Sequence, residues 1–364
     1  MSVRDELYAA PPYHFMARSQ SIKLDQNESP YDLPLELKEQ VLERLAQIPF
    51  NRYPEVNAHT LRGLLAARHD WAETGVVVSG GSNVLIQGLV SAAGMGKTVL
   101  TVRPTFSVYP MQAKLLGARL VECGLEEDFS LPLEALKTEL RRGSGIFFLA
   151  NPAAPTGNTF SAEAMNELAE ASADKWIFVI DEAYHQFSDT NFAGLVKAHS
   201  HVVSLRTLSK AFGLGGVRLG YGLMQPELAE QVQKVLMPFS ISALQLAVGE
   251  VVLNNPAYAE TYIAEVEVER EKLFATLNSL PNVTPYPSET NFILFKVGNA
   301  EAFFEGLLER DIVIRRQDHV PGLSGCLRVS VGTPAQNEAF IKAATEVARQ
   351  LAQQSLFKQE VEHV

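Results

Sequence analysis

Ser204-Leu-Arg-Thr-Leu-Ser-Lys210-Ala-Phe-Gly-Leu-Gly-Gly-Val-Arg218 couples an apolar run to two hydroxyls, a lysine, a glycine-rich turn and an arginine. The run over residues 201–205 predicts a short buried strand. Such a strand delivers Lys210 to the end of a sheet, with Thr207 and Ser209 just before it. Hydroxyls and a guanidinium at Arg218 are donors suited to a dianionic phosphate, and the glycines let backbone approach closely. A lysine desolvated there can lose its proton and attack a carbonyl. A lone Ser-Lys pair is ordinarily an exposed loop, so the weight falls on the rest of the chain.

On both sides of this stretch apolar runs alternate with helical spacing. Strands are predicted over 76–79, 98–102, 119–122, 145–150, 176–180, 201–205 and 219–223. Helices are predicted over 84–93, 110–116, 133–140, 162–171 and 226–236 between or after them. Continuous apolar strands separated by helices mean a largely parallel sheet covered on both faces. Ligands of such sheets sit at the carboxyl ends of the strands.

Before this region, residues 1–33 read as an irregular arm that must dock elsewhere, and helices are predicted over 35–48 and 59–69. After it, residues 243–280 have helical spacing interrupted only by Pro256. Short strands over 290–297, 312–315 and 326–331, with helices over 300–309 and 334–354, predict a smaller α+β domain. The expected division is an arm with part of the small domain (1–45), a large domain (46–275) and a C-terminal small domain (276–364).

Composition bounds the function. The chain has 364 residues, 46% hydrophobic and 20% charged, which is the balance of a water-soluble globular protein. A net charge of −11 without a basic block argues against nucleic acid as a partner. The two cysteines, Cys123 and Cys326, make no disulfide framework and show no metal-type spacing, so no metal is expected. Residues 1–13 lack the apolar core of a signal peptide, and the longest apolar stretch, 84–95, is too short to span a bilayer. A cytoplasmic location is the expectation.

Candidate chemistry gathers at the predicted strand ends. Asp181 ends an apolar strand, and a carboxylate beside a pyridine nitrogen keeps that nitrogen protonated. Gly80-Gly81-Ser82-Asn83 between strand and helix offers free N–H groups to an anion. Phe106 could stack on a planar ring. Arg315 and Arg328, near strand ends in the small domain, suit bidentate capture of a carboxylate or phosphate. Two decoys fail: Gly94-Met-Gly-Lys97-Thr98 lacks the first P-loop glycine and runs from helix to strand, and Gly213-Leu-Gly215 lacks the last glycine of a dinucleotide fingerprint.

Together these residues resemble the fold-type I pyridoxal-phosphate-dependent aminotransferases of the class I/II family. The matching strings run in order along nearly the whole chain: Asn27-Glu-Ser-Pro30, Asn51-Arg-Tyr-Pro54, Asp181-Glu-Ala-Tyr184, Thr207-Leu-Ser-Lys210-Ala-Phe212, and Leu323-Ser-Gly-Cys-Leu-Arg-Val-Ser-Val-Gly332 with Arg315. The resemblance implies a large α/β domain with a mostly parallel mixed sheet plus a smaller α+β domain. It implies that Lys210 carries pyridoxal phosphate and shuttles a proton, that Asp181 pairs with the ring nitrogen, and that Tyr184 bonds the phenolic oxygen. Phe106 would stack on the ring, and Ser82, Asn83, Thr207, Ser209 and Arg218 would hold the phosphate. Tyr53 would reach that phosphate from a second subunit, which implies a homodimer. Tyr13, Asn27, Arg315 and Arg328 would bind the substrate's anionic end. The implied reaction exchanges an amino group between histidinol phosphate and 2-oxoglutarate, a step of histidine biosynthesis.

Two departures stand out. The family usually places an Asn before Pro-Thr-Gly, where this chain has Ala154, and its cradle usually reads Gly-Ser-Asp-Glu where this chain has Gly81-Ser-Asn-Val84. They leave open an aromatic or other amino-acid aminotransferase, a phosphothreonine decarboxylase-like enzyme, or a cofactor-binding protein with little turnover.

Overall fold

The computed structural model describes residues 7–8 and 18–362, with side chains through residue 354. The strands are β1 (Ile22–Leu24), β2 (Val76–Ser79), β3 (Thr98–Arg103), β4 (Arg119–Gly124), β5 (Gly145–Ala150), β6 (Trp176–Asp181), β7 (Val202–Thr207), β8 (Gly220–Leu223), β9 (Val283–Pro285), β10 (Phe292–Val297), β11 (Ile312–Arg316) and β12 (Cys326–Ser330). The helices are α1 (Leu35–Ala46), α2 (His59–His69), α3 (Ser82–Leu89), α4 (Val108–Leu115), α5 (Leu133–Arg142), α6 (Ala162–Ser172), α7 (Ala193–Ala198), α8 (Pro226–Val235), α9 (Ala243–Asn254), α10 (Ala257–Ser279), α11 (Ala300–Leu308) and α12 (Pro334–Glu362).

β2 to β8 form a seven-stranded sheet in the order β2-β8-β7-β6-β5-β3-β4. All neighbours pair in parallel except β8, which runs antiparallel to both β2 and β7. This reversal has a consequence for the site: the start of β8, just after Arg218, lies at the same edge as the carboxyl ends of the other strands.

The period-2 alternation of strands assigns the two faces. In β5, Ile146 and Phe148 join one apolar cluster with Val179 of β6 and Val203 and Leu205 of β7. Phe147 and Leu149 join the opposite cluster with Phe178 and Ile180. Fully burying a phenylalanine contributes about 1.5–3 kcal/mol, so a one-residue slip of β5 would exchange two faces of well-packed aromatics. Continuing the alternation, Asp181 falls on the face of Val179.

The second sheet has five strands in the order β1-β11-β12-β10-β9. Here the arm departs from the expected irregular form. Ile22, Lys23 and Leu24 pair in parallel with Ile312, Val313 and Ile314, and the backbone of Asn27 donates to the Ser330 hydroxyl at 2.8 Å. Three residues carry too little pattern to announce a strand, and their partner lies far along the chain. Other differences are local. α3 begins at Ser82 rather than 84, so Ser82 and Asn83 are the first turn of the helix. β7 extends to Thr207. α7 and the edge strand β9 are additional to the expected elements. The predicted break at Pro256 separates α9 from α10, and α9 starts with a capping box between Ser242 and Gln245. Among the described residues no helix is long and apolar enough to cross a membrane.

Candidate active site

A cavity of about 390 Å³ opens where the carboxyl ends of β5, β6 and β7 meet the arm and the smaller sheet. Ser82, Asn83, Phe106, Asp181, Tyr184, Thr207, Ser209, Lys210, Arg218, Asn27, Arg315 and Arg328 all line it. The strand-end rule gathers Ser82, Asn83, Phe106, Asp181, Tyr184 and the 207–218 segment, while Asn27, Arg315 and Arg328 come from the arm and the smaller sheet.

Asp181 is buried at the cavity wall. Its Oδ2 accepts from the Tyr109 hydroxyl at 2.6 Å and its Oδ1 from the Ala183 N–H at 3.1 Å. Burial pushes its carboxyl up to about 6; the two hydrogen bonds oppose that rise, and the neighbouring Glu182 adds to it. A carboxylate in this setting offers a strong partner to a protonated ring nitrogen.

At another side is an anion cradle. Thr207 Oγ1 donates to Ser209 Oγ at 2.9 Å, and the Ser209 N–H donates back to Thr207 Oγ1 at 3.1 Å. Arg218 Nη1 lies 3.4 Å from Ser209 Oγ and donates to Gly215 O at 2.9 Å. Gly81, with φ of 92°, sits against that guanidinium: a Cβ there would come within 2.5 Å of Arg218 Nη2. A Cβ at Gly220 would meet Ser82 N at 2.2 Å. Both glycines are required for β8, Arg218 and the first turn of α3 to converge, and that turn points free N–H groups at the same space.

Lys210 Nζ donates to the Gln26 carbonyl at 3.1 Å and lies 5.8 Å from the Tyr184 ring centre. Asn27 Nδ2 donates to the Tyr184 hydroxyl at 2.9 Å, while Ser330 Oγ donates to Asn27 Oδ1 at 3.1 Å. One N–H of the Asn27 amide thereby orients Tyr184, and Asn27 also lines the cavity in which it was expected at the substrate's anionic end. Ala154 lines the cavity with no side-chain donor. Asn151 cannot substitute for the usual Asn: it is fully buried and exchanges two 3.1 Å hydrogen bonds with the backbone of Phe160.

Arg315 and Arg328 face each other as directly paired residues of β11 and β12. Arg328 Nη2 donates to Asp25 O at 3.0 Å, and its guanidinium lies 5.2 Å from the Phe292 ring centre. Two guanidiniums on opposed strands at the cavity wall are suited to an oxyanion.

One expected residue is not in this cavity, and the position of another is not described. Tyr13 lies outside the described residues. Tyr53 is 83% exposed on another face and packs on Phe239 with ring centres 4.9 Å apart. Two features were not anticipated. Tyr109 reaches Asp181 from the first turn of α4, and the only sequence signal was an aromatic three residues after Phe106. Behind Asp181, a buried ion pair joins Glu182 Oε2 to Arg206 Nη2 at 2.9 Å. Ser204 also donates to Glu182, the Phe192 N–H donates to it at 3.0 Å, and Arg206 reaches His69 Nδ1 at 3.2 Å.

The residues fit pyridoxal phosphate. A cradle that a Cβ would fill, a buried carboxylate, an aromatic wall at Phe106 and a lysine on the cavity side match its phosphate, ring nitrogen, ring face and aldehyde in turn. Fold and site together define an α/β enzyme of the aminotransferase class. Residues 19–343 match the family described as aminotransferase class I and II, and the chain belongs to that family. It is 47% identical over 344 residues to a histidinol-phosphate aminotransferase of Deinococcus radiodurans, covering 94% of this chain and 95% of that one. It is 37% identical to a histidinol-phosphate aminotransferase of Thermococcus kodakarensis, covering 94% and 98%. The solved histidinol-phosphate aminotransferase of Sinorhizobium meliloti in complex with pyridoxal-5'-phosphate shares the fold, with a TM-score of 0.87 at 23% identity over 96% of this chain and 98% of that one.

Proposed function

We propose that this chain is a pyridoxal-phosphate-dependent aminotransferase that takes histidinol phosphate as amino donor and 2-oxoglutarate as acceptor, in histidine biosynthesis. When bound, the cofactor supplies an electron sink that makes a proton on the donor carbon acidic. Asp181 keeps a ring nitrogen protonated. Tyr184, oriented by Asn27, offers its hydroxyl to the phenolic oxygen. Lys210 attaches the cofactor and moves the proton. Ser82, Asn83, Thr207, Ser209 and Arg218 hold the phosphate, and Phe106 covers a ring face.

The observation that carries the donor assignment is the pairing of Arg315 with Arg328 at the cavity. Histidinol phosphate has a phosphate ester and no carboxylate, whereas 2-oxoglutarate has two carboxylates. Two adjacent guanidiniums can take either oxyanion. The two relatives described above, 47% and 37% identical and both named for histidinol phosphate, support the same choice.

A charge-assisted hydrogen bond contributes about 1.5–3 kcal/mol, and about 1.4 kcal/mol is tenfold. Arg315→Ala is therefore expected to lower kcat/KM for histidinol phosphate by roughly 10–100-fold, and to lower it much less for histidinol. Steady-state kinetics with histidinol phosphate, histidinol, phosphothreonine and phenylalanine test this. A parent that prefers phenylalanine and ignores the phosphate overturns the donor while leaving the cofactor in place.

The same proposal includes a homodimer in which Tyr53 serves the neighbouring site. Phe50, Tyr53, Met237 and Phe239 are all exposed, and Phe50 and Met237 are each 75% so. Exposed apolar groups clustered this way mark an interaction surface. Light scattering at micromolar concentration is expected to give twice the chain mass; a stable monomer rules the dimer out.

A further inference from the structure

We infer that Tyr109 is a positioning residue: its 2.6 Å hydrogen bond sets the orientation and charge of Asp181, and thereby how firmly the site holds a pyridinium nitrogen. The inference rests on the proposed cofactor.

Tyr109 is fully buried and its ring has little freedom. It stacks on Phe148 with ring centres 4.8 Å apart and planes 9° apart, and meets Phe106 edge-on at 5.6 Å. The hydroxyl therefore arrives at Asp181 Oδ2 from a fixed direction. Ala183 N–H holds the other oxygen at 3.1 Å. With one protein donor on each oxygen, the carboxylate plane is fixed while lone pairs remain for the cavity.

Both donors stabilise the ionised carboxylate against its burial. The titratable groups acting on Asp181 are Tyr109 from α4 and Glu182, the residue that follows it at the end of β6. The flanking strands present only Ala150 and Leu205 at its register. Burial holds the Tyr109 phenol well above its ordinary value, so it remains a donor across the working range. Removing that donor shifts the balance on Asp181 toward the protonated, uncharged form.

The test is titration of the cofactor-free parent and Tyr109→Phe with pyridoxal phosphate from pH 5 to pH 8.5, followed by fluorescence quenching and the visible spectrum. Parent affinity is expected to weaken below about pH 6, where Asp181 takes up a proton. Tyr109→Phe is expected to raise that midpoint by roughly one pH unit, giving about tenfold weaker binding near pH 5.5 and equal binding near pH 8. The same substitution made on Asp181→Asn is expected to change the affinity little at any pH. An unchanged midpoint overturns the inference, whether affinity is equal or uniformly reduced. So does an undiminished effect of Tyr109→Phe in the Asp181→Asn background. Failure of the parent to bind pyridoxal phosphate overturns the proposed function itself and is distinct from both.

Discussion

Lys210→Ala is expected to leave the fold intact and to lower turnover by roughly 10²–10⁴-fold through the lost proton transfer alone, with loss of covalent attachment adding to that. The fold survives because the Lys210 side chain faces the cavity and its protein partner there is the Gln26 carbonyl. A hydrogen bond of that kind contributes about 1 kcal/mol. Circular dichroism checks the fold and steady-state kinetics the loss. Borohydride reduction of the loaded parent, followed by peptide mapping, should place the adduct on Lys210. An adduct on another lysine, or a variant that keeps more than a tenth of the parent rate, contradicts the assignment.

Arg206→Met is expected to destabilise the chain by about 3–5 kcal/mol, the usual cost of stranding one member of a buried ion pair. Arg206 and Glu182 are 1% and 0% exposed at their side chains, so water cannot take over the lost contact. Adding Glu182→Gln should recover much of the loss, since the stranded charge is gone, the amide oxygen can still accept from the Phe192 N–H, and the amide nitrogen, replacing the oxygen that accepts from Ser204, can donate to that hydroxyl.

The effect has a pH signature. Burial alone would raise the Glu182 carboxyl, but Arg206, with His185, Ser204 and Phe192, holds it below its ordinary 4.5. In the parent this group stabilises the fold above that ordinary value, and the contribution is lost as pH falls through the lowered one. Without Arg206, burial prevails and the carboxyl rises, so folding takes up a proton and stability declines as pH climbs above about 4.5. The histidines act in the same sense. Burial and then Arg206 lower His69 to about 3 and His185 to about 4, from an ordinary 6.5. In the parent both destabilise the fold as pH drops below 6.5, because the unfolded chain binds their protons first; removing Arg206 eases that penalty. Denaturant unfolding of both proteins should therefore show a larger deficit for Arg206→Met at pH 8 than at pH 5. An equal deficit at the two values, or one below about 1 kcal/mol, means the pair does not work this way.

The sequence by itself determined the α/β rhythm, because strand and helix periods depend on neighbours two to four residues apart. It also determined which residues end each strand, and sheets of parallel strands place those ends along one edge. That is why Lys210, Asp181, Ser82 and Arg218 could be named as one site before any contact was known. Glycine signals served equally well, since Gly81 supplies a conformation that other residues adopt at a cost.

Only the tertiary structure decided who faces whom across long stretches of chain. Tyr109 reads as an ordinary core aromatic until α4 brings its hydroxyl to Asp181, 72 residues away. Asn27 gives no local sign that its amide reaches Tyr184, 157 residues on, until β1 joins β11 and carries it there. Arg206, just past the predicted strand end, has no local sign of a partner until Glu182 and His69 close around it. Each of these partnerships depends on the register of two separate elements, and register is set by how whole apolar faces pack, not by the residues adjacent to the polar group. A buried donor or acceptor must find some partner, but local sequence contains no record of which distant one the packed core will bring within 3 Å.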